Sequence, residues 1–170
     1  MAVLGTFVSA TSAAVTSNSI FNTSTTIEDD VVLTNDTVLK FSDGSKADVG
    51  IWTTSGKTVK LTGNKIILNV AGAGSKNAYA ATVATGGNLI LGKSDSTIEI
   101  NASSNGTTIG LWAFGAKDKQ GGTLSINGKS LVVKASAVGE NGLVYGLYAQ
   151  NTSIDTTAKK QHLLSIQKIH

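Results

Sequence analysis

A four-residue, strand-like pattern recurs along this chain at intervals of about 30 residues. Each copy has an apolar or aromatic residue first, a small residue second and an apolar residue third, and most copies end in an aromatic residue. Successive copies start 30, 30 and 36 residues apart; they are Val49–Trp52, Tyr79–Thr82, Ile109–Trp112 and Tyr145–Tyr148. A period in this range is typical of architectures in which each repeat stacks on the previous one and buries its apolar side against it.

Two further strand-like segments follow each copy. In each of them apolar and polar residues alternate with period 2, as in residues 57–61 and 96–101. This alternation predicts strands with one buried face and one solvent-exposed face. Aligning the second segments gives a predicted column of Val59, Leu89, Leu124 and Ile154. Aligning the third segments gives a predicted column of Leu68, Ile98, Leu131 and Leu164. Gly and Asn, which tolerate positive φ, stand at the corners between the segments.

Three short strands in every period predict an all-β fold: a right-handed, single-stranded parallel β-helix, or β-solenoid, of about four to five turns. Equivalent strands of successive turns would then pair in parallel, with inward side chains stacked in columns. A β-sandwich also contains alternating strands, but it does not predict three strand positions that keep a common period. Residues 27–170 are predicted to form the β-helix, and residues 1–26, which break the repeat, are predicted to form an irregular N-terminal cap.

The composition excludes several classes of site. The chain of 170 residues contains no Cys, and all 14 of its basic residues are Lys, so it has neither thiolate ligands nor a guanidinium group for carboxylate or phosphate. The net charge of +3 is too small and too scattered to predict nucleic-acid binding. No apolar run approaches the roughly 20 residues of a spanning helix, which predicts no transmembrane segment in this chain. We predict no metal site and no cofactor.

The last residues of the repeated pattern form the candidate binding site. Trp52, Trp112 and Tyr148 each follow an inward apolar residue, so alternation predicts that they face outward, and Phe114 continues the same face. Aromatic rings along one solenoid face are suited to stacking on sugar rings or to anchoring a partner protein. An insertion after the third copy, which contains Lys117 and Lys119, is predicted to lie at the rim of this face. The alternatives are that a loop or the cap covers the rings, or that they face inward as core.

The sequence offers little support for catalysis. Glu28, Asp29 and Asp30 form the only acidic cluster, and they are expected to solvate an irregular first turn. His162 and His170 have no acidic neighbour close in sequence, so we expect structural or surface roles for them. The alternative function is a glycan-cleaving β-helix enzyme, similar to a polysaccharide lyase or a glycoside hydrolase, and a pair of carboxylates about 5 to 9.5 Å apart in a groove would favour it. We therefore predict a non-enzymatic protein with no catalytic residue.

Several short motifs carry a resemblance to a known family. They are Gly110-Leu111-Trp112, Gly146-Leu147-Tyr148, Gly121–Leu124 and Ile126–Gly128. Together they resemble the passenger domains of Gram-negative autotransporters, and the resemblance covers residues 27–170. It implies a right-handed parallel β-helix that is secreted to the bacterial cell surface and is followed by an outer-membrane barrel. Because the chain shows no signal peptide and no barrel segment, we expect a fragment of a longer solenoid.

The resemblance also implies a function. We expect an adhesin, or the structural stalk of one, that binds a glycan or a host surface protein along one face of the solenoid. Self-association, end to end or through exposed strand edges, is a further expectation, because unpaired parallel edges attract further strands.

Overall fold

The computed structural model describes most of the chain as strands. The residues that it describes are 20–21, 25–27, 30–42, 48–53, 55–72, 77–116, 119, 121–139, 142–157 and 160–167. Across these ranges no helix is long and apolar enough to span a bilayer. The described residues form sixteen strands: β1 (Ile20–Phe21), β2 (Thr25–Ile27), β3 (Val31–Leu33), β4 (Thr37–Ser42), β5 (Asp48–Thr53), β6 (Thr58–Leu61), β7 (Lys65–Gly72), β8 (Ala78–Val83), β9 (Asn88–Leu91), β10 (Thr97–Ser104), β11 (Thr108–Phe114), β12 (Thr123–Ile126), β13 (Ser130–Ala137), β14 (Val144–Gln150), β15 (Ile154–Thr156) and β16 (Lys160–Gln167).

The strands form three parallel sheets that the chain visits in turn. Sheet A has the order β1-β4-β7-β10-β13-β16, sheet B the order β2-β5-β8-β11-β14, and sheet C the order β3-β6-β9-β12-β15. Three consecutive strands therefore make one coil, and each strand pairs with the strands three places before and after it. The three central coils are β5–β7, β8–β10 and β11–β13. The coil β2–β4 stacks on one end of them, and the coil β14–β16 stacks on the other. This arrangement confirms the predicted all-β parallel β-helix with three strands per turn.

Inward side chains stack in columns between the three sheets. Val59 pairs with Leu89, Leu89 pairs with Leu124, and Leu124 pairs with Ile154, as the repeat predicts. Leu89 and Leu124 are completely buried, and Ile154 packs against the core from a partly buried position. Burying one such side chain stabilises the fold by about 1.5–3 kcal/mol, so the columns are the main source of its cohesion.

The predicted column of the third strands is wrong at its first step. Leu68 pairs with Ile100, and not with Ile98. The cause is a difference in corner length, because residues 62–64 link β6 to β7 whereas the longer segment 92–96 links β9 to β10. Ser96 closes the longer corner: its buried hydroxyl donates to the Gly63 carbonyl at 2.6 Å and accepts from the Lys93 amide at 2.9 Å.

The last step of the same predicted column is also wrong. Leu131 pairs with Gln161, and Leu164 pairs with Lys134. The corners before β13 and β16, residues 127–129 and 157–159, are equal in length. The third strands therefore keep the same 30-residue step as the second strands, Leu124 and Ile154, that precede them.

Two strands begin before residue 27. β1 pairs with β4, and β2 pairs with β5 through Thr25↔Ile51 and Thr26↔Trp52. Sheets A and B thus extend into the segment that the sequence assigns to an N-terminal cap. The rest of that segment, residues 1–19 and 22–24, lies outside the described residues.

Candidate functional site

The predicted aromatic column forms a single ladder on sheet B. Trp52 pairs with Thr82, Thr82 with Trp112, and Trp112 with Tyr148. The residues just before them, Ile51, Ala81 and Leu111, are completely buried. The ladder therefore lies on the outer side of sheet B, next to an inward column of core residues.

A break in the pairing of β5, β8, β11 and β14 brings a second column to the same side. A Cβ added at Gly110 would meet Val133 Cγ1 at 2.3 Å, so this glycine faces the core. Leu111 faces the core too, and two consecutive inward residues require a local break in the alternation. As a result Ile109 and its partners Tyr79 and Tyr145 lie on the outer side, beside the predicted ladder.

The two columns together create an aromatic face. We use this name for six partly exposed residues: Trp52, Tyr79, Trp112, Phe114, Tyr145 and Tyr148. The set includes both Trp and all three Tyr of the chain. Trp112 is at its centre, with ring centroids 5.4 Å from Tyr79, 4.9 Å from Phe114 and 6.1 Å from Tyr148. Tyr145 and Tyr148 stack at 4.8 Å and extend the face along β14.

One ring contact spans two coils. Trp52 on β5 and Phe114 on β11 meet edge to face, with centroids 6.2 Å apart. Strand β8 lies between those two strands, and Thr82 is the β8 residue in the ladder. We call this contact the ring bridge. Thr82 is 0% exposed although it lies at an outward position, which is what rings meeting across its strand would produce.

Polar atoms in the aromatic face and in the ladder beside it lack hydrogen-bond partners. Among the described residues, Thr82 Oγ1 and Trp112 Nε1 are buried and make no hydrogen bond. Burial also raises the pKa of the Tyr79 hydroxyl above its ordinary value of 10.0, so burial favours the neutral form that this hydroxyl already has at physiological pH. The six rings carry no fixed charge, so the face combines apolar surface with neutral hydrogen-bonding groups.

The predicted rim lysines are only partly described. Lys119 is exposed in the segment that follows β11, and its amide donates to the Ala116 carbonyl at 3.1 Å. Lys117 lies outside the described residues. The same corner is held to the next coil by Asn151, whose Nδ2 donates to the Gly115 carbonyl at 3.1 Å.

Tyr79 and Tyr145 belong to the aromatic face although the repeat pattern does not predict them there. Strict alternation places the first and third residues of each repeated pattern on the same side, which would put these tyrosines in the core. The signal that could have identified them is the small residue between those two positions, Gly110 or Gly146, because glycine inside a strand often marks a bulge or bend.

Of the acidic and histidine candidates, Asp30 and His162 are among the described residues. Asp30 is exposed, and its Oδ1 accepts the Thr58 amide of the next coil at 2.7 Å. Glu28, Asp29 and His170 lie outside the described residues. His162 is in β16 and pairs with Val132 of sheet A.

Two open depressions lie on the other faces. One, of about 530 Å³, runs over sheet A beside Lys40, Asn69, Asn101 and Lys134. Asn101 Nδ2 donates to Asn69 Oδ1 across the coils at 2.8 Å. The other, of about 580 Å³, lies on sheet C between Lys60 and Lys93. No carboxylate lines either of these two depressions.

The ion pair beside the first depression yields a pH prediction. Lys134 Nζ lies 2.9 Å from Glu99 Oε1, and this contact, with a further hydrogen bond from Asn101, holds the pKa of Glu99 below its ordinary value of 4.5. A lowered pKa means that the contact stabilises the fold above the ordinary pKa and is lost as the pH falls through the folded value. We expect Lys134→Met to raise the pKa of Glu99 toward 4.5, as measured by NMR titration of its carboxyl carbon. Lys40→Met is the control, and an unchanged pKa in Lys134→Met would contradict the assignment.

No protein-family model, no curated protein and no solved structure matches this chain. The function of this chain is therefore inferred from the side chains of its aromatic face.

Proposed function

We propose that this chain is a non-enzymatic recognition solenoid that binds a glycan through its aromatic face. The observation that carries the proposal is the collection of both Trp and all three Tyr of the chain on one outer face. Three coils contribute rings around Trp112, although each coil could have buried its aromatic residues in the core. Contiguous, partly exposed aromatic surface of this kind marks an interaction site.

A neutral sugar matches the chemistry of the face. Pyranose rings have an apolar C–H face and a polar hydroxyl edge, and Trp and Tyr likewise combine an apolar ring with a hydrogen-bonding group. Trp52 and Trp112 lie on strands two places apart, which corresponds to about 10 Å along the solenoid axis. The face can therefore contact successive units of an oligosaccharide that runs across the coils.

The resemblance to autotransporter passengers supports a cellular location for this glycan-binding activity. In that setting the chain is secreted or displayed at the bacterial cell surface, as an adhesin or as part of its stalk. The ligand there is a glycan, or a host surface protein that the same aromatic face would contact.

Glycan cleavage is the alternative proposal, and the structure offers less support for it. A glycosidase needs two carboxylates flanking the scissile bond. The two depressions on sheets A and C are lined by lysines and uncharged residues without a carboxylate, and the aromatic face itself consists of uncharged rings.

Binding to an array of neutral and acidic oligosaccharides tests the proposal. We expect wild-type protein to bind neutral glycans, and Trp112→Ala and Tyr148→Ala to weaken binding by about tenfold or more, since buried aromatic anchors dominate interfaces. Lys60→Ala on sheet C is the control, and thermal unfolding checks that each variant is folded. Tyr148 is near the edge of the face, so its variant remains informative if Trp112→Ala unfolds.

Three outcomes would contradict the proposal. They are the absence of glycan binding by wild type, equal binding by all variants, and release of shortened oligosaccharides during incubation. Binding to a host protein that survives removal of its glycans, and is lost in Tyr148→Ala, would assign the face to protein recognition instead.

A further inference from the structure

The ring bridge covers a polar position in the middle of the aromatic face. Between Trp52 and Tyr148 every ladder residue carries a ring except Thr82, which lies between Trp52 and Trp112. Its side chain is completely buried, and the rings of Trp52 and Phe114 meet across the strand that carries it. The gap that a small residue leaves between two large ones is therefore closed by rings from the neighbouring coils.

Two hydrogen-bonding atoms at this position are unsatisfied. Thr82 Oγ1 and Trp112 Nε1 belong to paired residues of adjacent strands, and both are buried without a partner. Leaving a buried polar group unpaired is costly, and native proteins rarely retain such groups without a reason. A valine at position 82 would fill nearly the same volume without that cost.

We infer that the Thr82 hydroxyl and the Trp112 indole N–H form a hydrogen-bonding subsite for a hydroxyl group of a neutral sugar. The inference rests on the proposed function and deepens it, because it names the two side-chain atoms that hydrogen-bond to a polar group of the ligand.

The donor and acceptor pattern selects the ligand group. Indole N–H can only donate, whereas the threonine hydroxyl can donate or accept. A sugar hydroxyl satisfies both, since its oxygen accepts from Trp112 while its proton is donated to Thr82. A carboxylate could also accept from both groups, but none of the aromatic-face residues supplies a cation, and burying an unpaired anion is strongly unfavourable.

Access requires the ring bridge to open. Trp52 and Phe114 make a single edge-to-face contact at 6.2 Å. An edge-to-face pair adds only modestly to the effect of the apolar area that it buries, and a ligand ring stacked on either side chain would bury apolar area in its place. The ligand therefore replaces the contact that it breaks, and gains the hydrogen bonds beneath it.

The test compares two unpaired threonine hydroxyls. Thr53 Oγ1 is the other threonine hydroxyl, among the described residues, that is buried without a partner. Thr53 pairs with Val83, a residue of the core cluster, so it occupies the inward column that a ligand does not reach. We expect Thr82→Val and Thr53→Val each to keep or raise the resistance to urea unfolding. Of the two valine variants, only Thr82→Val should weaken binding of the oligosaccharide that scores highest on the array, by about tenfold. Thr82→Ser keeps the hydroxyl group and should bind that oligosaccharide as the wild type does.

A spectroscopic measurement supplies an independent readout. The chain has two Trp, and Trp112→Phe assigns their indole N–H signals in a ¹H–¹⁵N spectrum. On addition of the same oligosaccharide, we expect the Trp112 signal to shift more than the Trp52 signal. Wild-type binding with equal affinity in Thr82→Val and no shift at Trp112 would overturn the subsite while leaving the proposed function in place. Absence of wild-type binding to the array would overturn both.

Discussion

Replacing Gly92 with alanine is expected to destabilise the solenoid by about 2–5 kcal/mol, one of the largest effects of any single methyl group in the chain. Gly92 has a φ of +84°, and an added Cβ would lie 1.8 Å from the Asn127 carbonyl oxygen of the next coil. That carbonyl is backbone, and the coils on either side are held by the Gly92 amide bonding to Leu61 and the Asn127 amide bonding to Leu91. The clash can be relieved only by separating the coils.

Gly56 provides the matched control for this substitution. Its φ of +76° is similar, but an added Cβ would have no atom within 4 Å. Gly56→Ala should therefore show only the conformational cost of a left-handed residue, about 1–2 kcal/mol. Urea unfolding of both variants measures the difference. Equal loss of stability in the two would mean that the close approach of the coils at Gly92 is not a constraint.

Leu89→Ala should cost about 2–5 kcal/mol, because it leaves a cavity in the middle of a core column. Leu89 is completely buried between Val59 and Leu124, on the coils before and after it. Neither neighbour can move into the space without leaving its own position in the stack.

Ile90, the residue next to Leu89, is the control that shows whether the loss of stability comes from the inward position of Leu89. Ile90 faces outward on the same strand and is partly exposed. Ile90→Ala is expected to cost about 1 kcal/mol or less in the same urea experiment. If Ile90→Ala proved more costly than Leu89→Ala, the assignment of inward and outward faces on sheet C would be wrong.

Local pattern was sufficient to predict the architecture of the chain. The 30-residue step from Val59 to Leu89, together with alternation in every segment, identified parallel strands stacked in register. The third column failed because its register depends on the length of the corner before each strand. The five-residue corner at 92–96 closes on the buried hydroxyl of Ser96, and nothing in the strand pattern itself reports that contact.

The candidate site could be predicted only in part. Alternation placed Trp52, Trp112 and Tyr148 correctly in one ladder, since they directly follow core residues. Tyr79 and Tyr145 were not predicted there because the break in alternation at the intervening small residue reverses their side. The burial of the Thr82 hydroxyl depends on a ring contact that spans two coils, and such a contact has no signature in a single repeat.

The separation along the sequence between paired strand residues bears on how the chain folds. Paired residues are never far apart in sequence, from 20 positions for Ile20↔Lys40 to 36 for Thr108↔Val144. The entropy lost in closing a loop depends only on the logarithm of its length, so each coil meets nearly the same closure cost as the one before. Folding is therefore expected to advance by adding coils to an existing edge, and chain length changes the number of such steps rather than the difficulty of any one of them.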